Sequence, residues 1–117
     1  MPESLQILNG PAGERFAVLR VVGRLDSEGA PQLARSCVAA HAAGRDLVLN
    51  LGGVSFIASS GVGVLLATAE QFRESGRHLR LAALPPAVVS VIRLLNLDQF
   101  LPIHATEGDA LTALKAA

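Results

Sequence analysis

The sequence predicts an α/β domain, a mixed and mostly parallel sheet of about five strands covered by about four α-helices. Three observations predict it. From Phe16 onward, short β-branched apolar runs alternate with longer stretches of helical periodicity. The run Asp46 to Leu51, DLVLNL, is almost continuously apolar, as a strand covered on both faces is. The chain also opens with two strand candidates in succession, so one antiparallel pair should join the parallel ones.

The elements follow in order. Leu5 to Leu8 and Phe16 to Val22 are strands, and Gly10-Pro11-Ala12-Gly13 between them is a hairpin turn. Asp26 to Pro31 opens the first helix, with Asp26 or Ser27 accepting from free amides and Pro31 fitting the first turn. Leu33, Cys37, Ala40 and His41 recur at helical spacing, and Gly44 ends the helix. Asp46 to Leu51 is the next strand. Gly52-Gly53 is expected to break it before the short run Val54 to Ile57. Ser59-Ser60 then precedes a helix whose buried stripe is Val62, Leu65, Leu66, Ala69 and Phe72 and which Gly76 ends. His78 to Leu84 is a strand, Pro85-Pro86 an interruption, and Val88 to Leu95 the third helix, with Asn96 suited to a left-handed backbone after it. Leu101 to His104 is a last short strand. Thr106-Glu107-Gly108-Asp109 is a capping pattern before Ala110, Leu111 and Leu114. No linker, repeat or low-complexity segment divides residues 1–117, so a single domain is expected.

Composition excludes several functions. Half of the 117 residues are apolar and 17% are charged, which suits a packed core. Four Phe, no Trp and no Tyr leave few flat rings for stacking on single-stranded bases. Ten basic residues balance ten acidic ones, so nothing draws the chain toward nucleic acid or an anionic membrane. Arg73, Arg77, Arg80 and Arg93 read as solvated flanks. Cys37 is the single cysteine, expected as a small buried side chain with no disulfide and no cysteine-built zinc site. His41, His78 and His104 fall on separate elements without metal-ligand spacing, so no metal and no cofactor are expected. No signal-peptide pattern and no apolar run of about 20 residues is present, so a cytoplasmic location without membrane insertion is expected.

The serine pair, set in VSFIASSGVGVLLA (Val54 to Ala67), carries the chemical interest. Serine is a preferred helix N-cap, which explains the pair without any function. The same place also suits a phosphate, because a helix start offers unpaired N–H groups and partial positive charge. Phosphorylation there would add about −1.5 to −2 charges and oppose docking on an apolar surface. A serine nucleophile is the rival. Ile57 stands where a nucleophile elbow needs its first glycine, although Asp98 and His104 follow in a permissible order. A dinucleotide site is the other rival, and ranks near the nucleophile. Gly61-Val62-Gly63 is followed by Leu66 in place of the third glycine, and no acidic residue ends the next strand. Asp26 is either a helix cap or a member of the same site as Ser59.

The chain resembles STAS domains, specifically the stand-alone bacterial anti-sigma factor antagonists. The residues that carry the likeness are Gly23-Arg24-Leu25-Asp26, Leu47 to Leu51, and above all Phe56-Ile57-Ala58-Ser59-Ser60-Gly61-Val62-Gly63-Val64-Leu65. Leu79-Arg80-Leu81, Pro86-Ala87-Val88 and Leu95-Asn96-Leu97-Asp98 follow in the family's order. The resemblance implies the STAS-type fold and a non-catalytic regulator of transcription that works by partner switching. Its unmodified form would dock on an anti-sigma factor that is also a serine kinase. Phosphorylation at Ser59 would end the docking, and a serine phosphatase would restore it. The implied contact residues are Leu25, Asp26, Ser27, Ile57, Ala58, Ser59, Ser60, Gly61 and Val62. Ile57 and Val62 are expected to supply exposed apolar contact area. The family usually has Asp-Ser-Ser-Gly, and Ala58 replaces that aspartate here. Its absence removes one negative charge beside the phosphoacceptor and favours the first of two alternatives that stay open. One is a scaffold or adaptor subunit, in a stress-signalling complex or beside a lipid-transporter ATPase. The other is a small-ligand or nucleotide sensor. The sequence leaves the oligomeric state open.

Overall fold

A computed structural model describes residues 4–116. The elements run β1 (Gln6–Ala12), β2 (Phe16–Leu25), α1 (Ala30–Ala42), β3 (Asp46–Ile57), α2 (Ser59–Glu74), β4 (Leu79–Ala82), α3 (Pro86–Leu94), a 3₁₀ turn (Leu97–Gln99), β5 (Ile103–His104) and α4 (Glu107–Ala116). They form one sheet in the order β1-β2-β3-β4-β5, antiparallel at β1–β2 and parallel elsewhere. The expected mixed sheet with four helices is therefore present.

The strand order advances one place at a time, so right-handed crossovers place α1, α2 and α3 on the same face. Side-chain alternation agrees. Leu19, Val21, Leu47, Leu49, Leu51, Leu79 and Leu81 pack with Leu33, Cys37, Val62, Leu65, Phe72, Val88 and Ile92. Each such large side chain, when fully buried, contributes about 1.5–3 kcal/mol. The intervening residues Val18, Val48 and Ala82 meet Ala110 and Leu114 of α4 on the other face. Arg20 and Asn50 lie on that second face and fix the start of α4. Arg20 Nε and Nη2 donate to Glu107 Oε1 and Oε2, at 3.0 and 2.9 Å, and Asn50 Nδ2 donates to Glu107 Oε1 at 3.1 Å. Thr106 Oγ1 accepts from the Asp109 amide at 3.0 Å, the cap that the Thr-Glu-Gly-Asp pattern predicts.

Several boundaries differ from expectation. β1 runs through Gly10 and Pro11 to Ala12. The turn lies later, closed by the Gly13 amide on the Phe16 carbonyl at 2.9 Å, and the register is irregular between Asn9 and Ala12. Gly52-Gly53 does not break β3. The pairing passes from Arg20↔Asn50 to Val22↔Gly53 and from Gly23↔Val54 to Arg24↔Phe56, so β3 absorbs two bulges and stays paired to Ile57. Arg80 is not a solvated flank, because it points to the α4 face and its Nε is buried without a partner. Arg77 is half-buried and donates to the His41 carbonyl. Gly44 (φ +76°), Gly76 (φ +70°) and Asn96 (φ 57°) take the left-handed backbone expected of them.

Candidate functional site

The candidate site sits where β2 and β3 end side by side. Leu25 pairs with Ile57, and the Ala58 amide donates to the Leu25 carbonyl at 3.0 Å. That bond brings the turn after β2 against the start of α2. Gly61 allows the close fit: a Cβ there would lie 2.7 Å from both Leu25 Cγ and the Leu25 carbonyl oxygen.

The helix start differs from a serine-capped one. Ala58 is the N-cap, with extended backbone (φ −99°, ψ 171°), and no side chain caps the helix. Ser59, Ser60 and Gly61 already belong to the first turn. The first intrahelical bond runs from the Val62 amide to the Ala58 carbonyl at 3.1 Å, so the amides of Ser59, Ser60 and Gly61 lie ahead of it. The bland explanation of the serine pair, an oxygen capping the helix, therefore fails.

The two hydroxyls also differ. Ser59 is exposed at the rim. Ser60 is half-buried, its Oγ enclosed without a hydrogen-bond partner, and it lines a groove with Ala34 and Val38 of α1. Of the two, only Ser59 is exposed.

Asp26 builds the neighbouring turn. Its Oδ1 accepts from the Gly29 amide at 3.0 Å and from the Glu28 amide at 3.1 Å, while Oδ2 lies 3.5 Å from Arg24 Nε. The Gly29 amide is the main reason its carboxyl titrates below the ordinary value, with Glu28 and Arg24 adding to it. Asp26 is thus a fixed anion at the rim. It does not cap α1 itself, whose N-cap is Gly29. Ser27 beside it is exposed.

The expectation that Ile57 and Val62 offer exposed apolar area is not met. Ile57 is 9% and Val62 5% exposed, and Leu25 is wholly buried. These three, together with buried Gly61, shape the site from beneath and present almost no surface to a partner. The exposed apolar residue is Phe56, at 40%, and Arg24 lies over its ring at 4.2 Å. Sequence reasoning passed over this pair. Strand alternation holds the signal, since Arg24 and Phe56 directly precede the inward Leu25 and Ile57.

Other candidates stay apart from this rim. Among the described residues, no three His, Cys, Asp or Glu converge as a metal site. His41 Nε2 lies 2.8 Å from Ser75 Oγ, and His78 Nδ1 is 3.7 Å from Asp46. Among the described residues, no helix is long and apolar enough to cross a membrane.

A serine-bearing helix start beside an acidic turn, on a four-helix mixed sheet, invites comparison with known proteins. The profile described as "STAS domain" matches residues 10–110. The chain belongs to the STAS domain family. The anti-sigma-F factor antagonist RsfA of Mycobacterium tuberculosis is 36% identical over 81 residues, covering 69% of this chain and 63% of RsfA. The match thus spans less than two thirds of that relative. A solved anti-sigma factor antagonist from Mycobacterium paratuberculosis superposes with TM-score 0.88 at 32% identity, over 98% of this STAS chain and 97% of the other. SpoIIAA in its unphosphorylated form shares the fold, with TM-score 0.80 at 22% identity over 96% and 98% of the two chains. Within this STAS domain, Ala58 occupies the N-cap position itself, so α2 starts without a side-chain cap.

Proposed function

We propose that this STAS domain is an anti-sigma factor antagonist. Its unmodified Ser59 face binds an anti-sigma factor that is also a serine kinase, in the cytoplasm, and frees the sigma factor. The observation that carries the reading is the contrast within the serine pair: Ser59 exposed at the first turn of α2, Ser60 Oγ enclosed. The relatives named as anti-sigma factor antagonists support the partner class. In this role the chain is the substrate of a kinase and of an opposing phosphatase, and is not an enzyme.

The contact surface is drawn from Ser59, Ala58, Asp26 and Ser27, extended by Arg24 and Phe56. A phosphoryl group on Ser59 would find α2 amides that no side chain occupies, and would put about two negative charges beside the fixed carboxylate of Asp26. A partner surface packed there would then face a charge it must desolvate. The test is incubation with ATP and the cognate kinase, followed by intact-mass measurement. One phosphate is expected on the wild type and none on Ser59→Ala. A phosphate that survives Ser59→Ala would remove Ser59 as acceptor.

Ala58 favours a second reading, a constitutive binding subunit without the switch. It predicts no mass gain with the kinase, and a complex whose affinity Ser59→Asp leaves unchanged.

A further inference from the structure

The Ser59 rim is built from the end of β2 with the turn after it, and from the end of β3 with the start of α2. These two stretches, residues 21–31 and 51–69, contain one basic side chain, Arg24. Their acids are Asp26 and Glu28, both on the turn after β2, and α2 carries no charged residue before Glu70. Arg20, the next base along β2, is held by both carboxylate oxygens of Glu107.

Arg24 is held loosely. Its side chain is 40% exposed, and its Nε lies 3.5 Å from Asp26 Oδ2, longer than the ~2.7–2.9 Å of a charge-assisted hydrogen bond. Its guanidinium rests on Phe56, with Cζ 4.2 Å from the ring centroid. Stacking uses the flat face of the group and leaves its in-plane N–H donors to other partners. Asp26 is bound independently, since the Glu28 and Gly29 amides both donate to its Oδ1. It keeps both bonds when Arg24 leaves. The register brings Arg24 close to the serine. Arg24 pairs with Phe56, Leu25 with Ile57, and the Leu25 carbonyl accepts from the Ala58 amide. Ser59 follows Phe56 by three residues, a span of at most about 10 Å. The guanidinium already reaches along β2 toward that end, because Asp26 lies two residues beyond Arg24.

We propose that Arg24 is the cation that receives the phosphate of Ser59, giving up Asp26 and the Phe56 ring to do so. The inference rests on Ser59 being the phosphorylated residue. A phosphoserine offers about two charges and three acceptor oxygens against the single charge of Asp26, and the guanidinium fork matches it with two parallel donors. Ala58 brings no carboxylate to the helix start to compete. Phosphorylation then changes the docking face twice over. It adds negative charge, and it uncovers Phe56, so a partner meets a different shape as well as a different potential.

The test is a phosphorus NMR titration of the full chain with phosphoserine placed at position 59 during synthesis through a reassigned codon. No kinase takes part. A kinase that leaves Ser59 unmodified would sink the proposed function, while this titration would still read the Arg24 contact. The second ionisation of phosphoserine ordinarily falls near pH 6. A cation paired with the phosphate lowers that midpoint, and removing the cation raises it. Arg24→Gln should therefore raise the midpoint by about 0.5 or more in pH, and Arg24→Lys, which keeps the charge, should restore most of the difference. The Phe56 ring protons should shift as the phosphate ionises in the parent protein and stay fixed in Arg24→Gln. A midpoint that Arg24→Gln leaves unchanged overturns the proposal. So does a rise in Arg24→Lys as large as in Arg24→Gln, which would trace the change to disturbed structure and not to lost charge.

Discussion

Ser59 and Ser60 are chemically identical neighbours whose environments set them apart. The enclosed Ser60 hydroxyl lacks a partner, and such a group costs about 1–3 kcal/mol of desolvation. Ser60→Ala should therefore leave stability unchanged or raise it by about 1 kcal/mol, read as the urea midpoint. A clear loss would mean that Ser60 holds a bond through an ordered water. Ala58 is the complementary case, a position that wants an oxygen and has none. Ala58→Asp should stabilise the domain by about 0.5–2 kcal/mol through capping, with thermal melting as the readout. The family resemblance identified this residue as a departure, but only the backbone geometry shows that it is the cap position. The opposite lesson comes from Ile57 and Val62. Closeness in sequence to an exposed serine suggested exposure, whereas strand and helix periodicity already pointed both inward.

At the level of elements, the start of α2 is held against the end of β2 by contact that only a residue without a side chain permits. A methyl group on Gly61 would meet the Leu25 backbone oxygen, which cannot move without disturbing the β2–β3 pairing. Gly61→Ala should destabilise the domain by about 1–3 kcal/mol, as overpacking does, and should weaken partner binding by shifting the Ser59 turn. Equilibrium unfolding together with a binding titration checks both parts. Most elements were legible in the sequence because their signals are local. The α2 stripe, the Thr106 cap and the left-handed Asn96 are examples. The continuity of β3 across Gly52-Gly53 was not. It depends on pairing with β2 through two bulges, a relation between distant segments that local composition does not encode. Strand alternation alone turns Arg24 and Phe56 outward, but that the two stack on each other is decided by cross-strand register.

On the scale of the whole molecule, two features couple the sheet to its surroundings. Glu107 ties α4 to Arg20 and Asn50, and the Arg20 bond is the main cause that draws its carboxyl below the ordinary 4.5. The native fold thus prefers the carboxylate, while the unfolded chain takes up protons more readily. This contribution to stability is complete above about pH 4.5 and is lost as pH falls through the lower native value. Asp26 acts in the same direction. Urea midpoints should therefore fall between about pH 6 and about pH 3, and Glu107→Gln should flatten that slope. A midpoint indifferent to pH across that range would contradict the assignment. The second feature is polarity of layout, with the Ser59 rim at the C-terminal ends of β2 and β3 and the exposed Phe100 leading into the N-terminal end of the parallel β5. The central claim concerns the rim: charge on Ser59 governs docking. The most direct measurement is the affinity of the anti-sigma partner for unmodified protein, for protein phosphorylated on Ser59, and for Ser59→Asp. Phosphorylation should weaken binding by more than about tenfold, ~1.4 kcal/mol, with Ser59→Asp shifting the same way. Equal affinities for all three forms would contradict it.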